Sequence, residues 1–96
     1  MKVVVNKSFG SFYIGEKYYD MLSESYFTTP FPQCRADSSL IDVVNAFGAK
    51  AVGDKFGDLT IVDVPDDATD WEIYEYDGRE HIVCVVNGKI KHIYPE

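Results

Sequence analysis

Two dipeptides, Asp77-Gly78 and Asn87-Gly88, restrict the folding of this chain more than any other feature. They separate three runs rich in β-branched and aromatic residues: Trp71 to Tyr76, Arg79 to Val86 and Lys89 to Tyr94. A two-residue type I′ turn needs positive φ at both central positions, which Asp-Gly and Asn-Gly tolerate best. The pattern predicts two consecutive hairpins, a three-stranded antiparallel meander. Two-residue loops also set the register. Trp71 then faces Cys84, Ile73 faces Ile82, and Ile82 faces Ile93, with Val86 on the same apolar side. The opposite side carries Tyr74, His81 and Tyr94 in one row and Glu72, Val83 and His92 in the next. Val85 and Ile90 lie beyond, and Tyr76 pairs with Arg79. A slip of one residue would exchange the faces of a whole strand.

Upstream, Lys2 to Asn6 reads as a short strand whose Val3-Val4-Val5 run suits burial on both faces. A polar loop with aromatic residues, Lys7 to Phe12, leads to a helix expected over Glu16 to Glu24, with Tyr18, Met21 and Leu22 at helical spacing. Ser25 to Arg35 reads as a long aromatic loop, because Pro30 and Pro32 oppose a helix. A second helix is expected to begin at Asp37 or Ser38. Its Leu40, Val43, Val44 and Phe47 form one apolar stripe, Gly48 ends it, and Ala49 to Val52 extend it by a turn. Asp58 to Val64 alternates as a strand, and Pro65 to Asp70 ends it. The resulting order, β-α-α-β-β-β-β, implies a single α+β domain over residues 1–96. Its expected form is an antiparallel-dominated sheet of about five strands with two helices packed on one face.

Composition removes several classes of function. With 46% hydrophobic and 15% aromatic residues the chain is not of the disordered type. It has neither an apolar run of membrane-spanning length nor a charged-then-apolar leader, so no membrane association and a cytosolic location are expected. Cys34 and Cys84 are expected as free thiols, the latter a small hydrophobe in the core. The net charge of −7 is unevenly spread. Residues 1–50 hold five acids and five bases, whereas residues 51–96 hold eleven acids and four bases. Binding nucleic acid directly through its phosphates needs the opposite sign. An acidic surface solvates the protein, and it also steers encounter with a basic patch on a partner.

Three constellations bear on chemistry. Asn6, Lys7, Ser8 and Ser11 lie between a strand and a helix, where backbone amides hold anions, and so offer a site for a nucleotide or small signalling molecule. The loop lacks the glycine patterns of dinucleotide and P-loop sites. Glu72, His81 and His92 share a face and are a known ligand set. The rows separate Glu72 from His81, however, so neither a metal nor a cofactor is expected. No serine or cysteine stands in a nucleophile signature, and no enzyme is expected. The preferred site is a partner-binding one: Tyr74 and Tyr76 as aromatic anchors, with Asp66, Asp67 and Asp70 as an acidic rim.

The strand opening Lys2 to Phe12, the segment Arg35 to Gly48, the run Ile61 to Asp67, Trp71-Glu72-Ile73 and Glu75 to Glu80 together resemble a group of small proteins of tailed bacteriophages and prophages. The resemblance covers most of the chain but skips Tyr26 to Gln33, and Gly15 stands where that group has a serine helix cap. It brings no catalytic motif. It implies an accessory protein in the host cytoplasm that binds and modulates or inhibits a host protein, such as a defence or nucleic-acid enzyme, through a basic patch on that partner.

Overall fold

The computed structural model describes residues 1–96. Its strands are β1 (Lys2–Asn6), β2 (Leu59–Asp63), β3 (Ala68–Tyr76), β4 (Arg79–Val86) and β5 (Lys89–Ile93). Its α-helices are α1 (Glu24–Thr28), α2 (Ser38–Phe47) and α3 (Ala49–Gly53), with 3-10 helices over Glu16–Met21 and Gln33–Ala36. No helix is long and apolar enough to cross a membrane.

Both turn dipeptides adopt the backbone their residue types favour. Asp77 and Gly78 have φ of 53° and 88°, and Asn87 and Gly88 have 53° and 76°. The meander therefore closes in the expected register: Trp71 opposite Cys84, Ile73 opposite Ile82, Tyr76 opposite Arg79, and Ile82 opposite Ile93. β3 starts earlier than the sequence suggests. A bulge between Ala68 and Asp70 lets Ala68 pair with Val86, so part of the segment read as a loop joins the sheet.

The two turn glycines differ in their surroundings. A Cβ on Gly78 would lie 1.7 Å from the Gly10 carbonyl oxygen, whereas one on Gly88 meets nothing within 4 Å. Gly88→Ala is therefore expected to cost only the conformational penalty of left-handed backbone, about 1–2 kcal/mol. Gly78→Ala should cost clearly more, because the Phe9–Gly10 loop must move as well. Equilibrium urea unfolding of the two variants measures the difference, and equal losses would show that this loop does not pack against the turn.

The strands form two antiparallel sheets, β1-β2 and β3-β4-β5, instead of the single sheet of about five strands expected from the sequence. The reason lies in β1 and β2, which are apolar on both faces and must be covered twice. Val4 and Leu59 join Ile14, Tyr18, Leu22, Leu40, Val43, Val44 and Val52 in one cluster under the helices. Val3, Val5, Val62 and Val64 join Ile82 and Cys84 in a second, with Trp71, Ile73, Val86 and Ile93 packed against it. The helices thus cover the β1-β2 ribbon, and the ribbon covers the meander. Three layers result, and the far side of the meander faces solvent.

α2 follows the expected stripe, with Leu40, Val43 and Val44 buried, while the Phe47 ring lies half-exposed 5.1 Å from that of Tyr18. Upstream the helical pattern breaks. Leu22 is extended, so Glu16–Met21 ends as a 3-10 helix and Glu24–Thr28 starts afresh. Together with the 3-10 helix over Gln33–Ala36 it runs into the stretch expected to be a loop, so that more than the two expected helices form. A polar knot holds this restart: Ser23 and Ser25 donate their hydroxyls to the Asp37 carboxylate, which also caps α2 by accepting the Ser39 N–H at 3.0 Å. Burial raises the Asp37 pKa, but the hydrogen bonds from Ser25, Ser39 and Ser23 outweigh it and hold the carboxyl below its usual range.

Candidate interaction surface

The alternation that sends Ile73, Ile82 and Cys84 inward sends Tyr74, Tyr76, His81 and Val83 outward, where no layer covers them. Tyr76 is 80% exposed, Ile90 70% and Tyr94 65%. The aromatic side chains on this face order one another. Tyr74 meets His81 edge-on at 5.9 Å between ring centroids, and Tyr94 stacks on His81 at 4.4 Å. His92 lies edge to edge with the same imidazole, ring centroids 5.3 Å and planes 26° apart, with His81 Nε2 and His92 Nδ1 3.1 Å from each other. Burial, and secondarily the neighbouring His92, lowers the His81 pKa below the ordinary histidine value. A cleft of about 290 Å³ opens at one end of the face between Tyr76, Arg79, Glu80, His81, Tyr94 and Pro95.

The acidic residues expected beside the tyrosines lie apart from them. Asp66 accepts from the Met1 amine at 3.0 Å, Asp67 is exposed in the turn before β3, and Asp70 accepts the Trp71 N–H at 2.9 Å. Asp70 and Tyr76 stand six positions apart on β3, about 20 Å at ~3.3 Å per residue. Tyr74 and Tyr76 thus share a face, with the three aspartates at its opposite end. Glu72 is the carboxylate that the register puts between them.

The Asn6–Phe12 loop is bound into the fold. Asn6 is fully buried, and its Nδ2 donates to the Ser8 and Gly78 carbonyls at 3.1 and 2.7 Å. Its Oδ1 accepts the Asp58 N–H at 2.9 Å and the Ser8 hydroxyl at 3.3 Å. Lys7 Nζ donates to the Glu96 carbonyl, and the Ser11 N–H to the Phe56 carbonyl. The asparagine and its neighbours therefore act first as the clamp that fixes the Asp77-Gly78 turn against β1.

Sequence reasoning misses the buried ion pair beside this clamp. Arg35 Nη1 and Nη2 donate to Glu80 Oε1 and Oε2 at 2.7 and 3.0 Å, and the Asn6 N–H donates to the same Oε1 at 2.7 Å. The guanidinium carbon lies 3.3 Å from the Phe12 ring centroid. One sequence signal points to it. The hairpin register puts Glu80 on the side of Ile82 and Cys84, where a carboxylate is tolerated only with a charged partner.

The chain matches no protein-family model, no curated protein and no solved structure.

Proposed function

We propose that this chain works by binding rather than by catalysis, docking a host protein with a basic patch onto the outer face of the meander. The reading is that of a phage accessory protein acting in the host cytoplasm, where it modulates or inhibits a defence or nucleic-acid enzyme. The provenance in this reading rests on the resemblance of the sequence. The docking face rests on one observation: a sheet face bearing Tyr74, Tyr76, Ile90 and Tyr94, all largely exposed, that no layer of the fold covers. Rigid amphipathic tyrosines of this kind anchor protein interfaces. The acidic half of the chain adds long-range attraction for a basic surface.

Separating the acids from Tyr74 by about 13 Å or more, and from Tyr76 by about 20 Å, makes the two contributions independent. Affinity capture from host lysate provides the partner, and association kinetics test the assignment. Tyr76→Ala is expected to raise the dissociation rate by roughly thirtyfold, the equivalent of about 2 kcal/mol at an interface anchor. The triple change Asp66→Lys, Asp67→Lys, Asp70→Lys should slow association and flatten its salt dependence while leaving dissociation and folding nearly unchanged. A captured partner that dissociates at the same rate after Tyr74→Ala and after Tyr76→Ala would remove this face from the interaction.

A further inference from the structure

His81 and His92 stand on adjacent strands and aim ring nitrogens at each other, Nε2 to Nδ1 at 3.1 Å. β4 and β5 place them diagonally, His92 opposite Val83 and His81 two positions earlier on its own strand. Two imidazoles in this arrangement either share a proton or present two lone pairs to one ion. We propose that His81 Nε2 and His92 Nδ1 form a two-histidine surface site for a divalent first-row transition ion, with water completing its coordination.

The spacing fits. Two metal–nitrogen bonds of about 2.0–2.1 Å spanning that gap meet at roughly 100°, between the square-planar and tetrahedral angles, once both rings tilt from their nearly head-on hydrogen-bonded line toward the ion. Imidazole donors select copper, nickel and zinc over the oxygen-seeking calcium and magnesium. The shell around the pair holds the rings in place: Tyr94 stacks on His81, Tyr74 packs edge-on against it, and the His81 and His92 rings lie only 26° apart. No third histidine, cysteine, aspartate or glutamate converges on the pair. The site is therefore open, unlike a four-ligand structural zinc site. The soft competitors lie elsewhere, since Cys84 is buried on the inner side of the meander and Cys34 lies in the 3-10 helix over Gln33–Ala36. The proposal is independent of the binding partner, although the site lies on the same face.

Titrating the full chain with Cu²⁺ alone near neutral pH, read by calorimetry and by electron paramagnetic resonance, tests it. The expected result is one ion per chain with nitrogen hyperfine coupling, and a similar but weaker uptake of Ni²⁺ and Zn²⁺. His81→Gln and His92→Gln should each weaken binding by more than about tenfold, the scale on which losing even an outer partner of a ligand acts. Cys34→Ser should leave it unchanged. His92 is exposed, so its variant reports on the site without disturbing the core, and circular dichroism checks the fold of both variants. Absence of saturable uptake would overturn the site. So would undiminished affinity in a folded His92→Gln variant, which would move the ion to another donor such as the Met1 amine.

Discussion

Glu80→Ala is expected to destabilise the chain by about 3–5 kcal/mol, the cost of stripping one partner from a buried ion pair. Its carboxylate accepts three hydrogen bonds, two from the Arg35 guanidinium and one from the Asn6 N–H. Removing it leaves a cation stacked on Phe12 and a buried backbone donor without an acceptor. Arg35→Ala should cost a similar amount, since it leaves the carboxylate uncompensated and frees the Val4 carbonyl from its 3.3 Å contact. Combining Arg35→Met with Glu80→Leu is expected to recover part of the loss, because apolar replacement of both partners relieves the desolvation of two charges. Recovery stays incomplete, since the Asn6 N–H still lacks its acceptor. Urea unfolding of Arg35→Met, Glu80→Leu and their double variant beside the parent chain forms a complete cycle. A loss below about 1 kcal/mol for Glu80→Ala, the scale of solvent-exposed pairs, would mean that water reaches this pair.

Ile82→Ala is expected to cost about 2–5 kcal/mol, because Ile82 is completely buried at the centre of the cluster between the meander and the ribbon. Val83→Ala, one residue along the same strand but turned to the outer face, should cost far less. The loss in Ile82→Ala should also appear as a single transition. β1 lines both clusters, Val4 on the helical side and Val3 and Val5 on the meander side. Neither core keeps its packing once that strand leaves, so fluorescence from Trp71 in one layer and far-UV circular dichroism should report the same midpoint. Two separated midpoints would show that the helical layer and the meander unfold as independent units.

The meander was legible because its information is local. Positive φ at Asp77, Gly78, Asn87 and Gly88 and a side-chain period of two fix the partner of every residue from Trp71 to Ile93. α2 was legible for the same reason, from an apolar stripe with an aspartate before it and a glycine after it. The first helix was not. Its apolar spacing suited a continuous helix, yet the Ser23, Ser25 and Asp37 hydrogen bonds come from residues up to fourteen positions apart and reset the chain at Ser23. Local propensity carries no record of such a knot.

The candidate surface divides along the same line. That Tyr74, Tyr76 and His81 share a face follows from alternation, but that this face meets solvent follows from where the ribbon chose to pack. By itself the sequence determined the turns, the register of the meander and the double-sided apolar character of β1, because each depends on backbone sterics and side-chain order among near neighbours. Only the tertiary structure decided that β1 and β2 pair with each other across more than fifty residues, that Arg35 meets Glu80, and that His81 and His92 come within hydrogen-bonding distance. Those outcomes depend on which surfaces remain to be covered and which charges remain to be matched once the layers close. No window of neighbouring residues contains that competition.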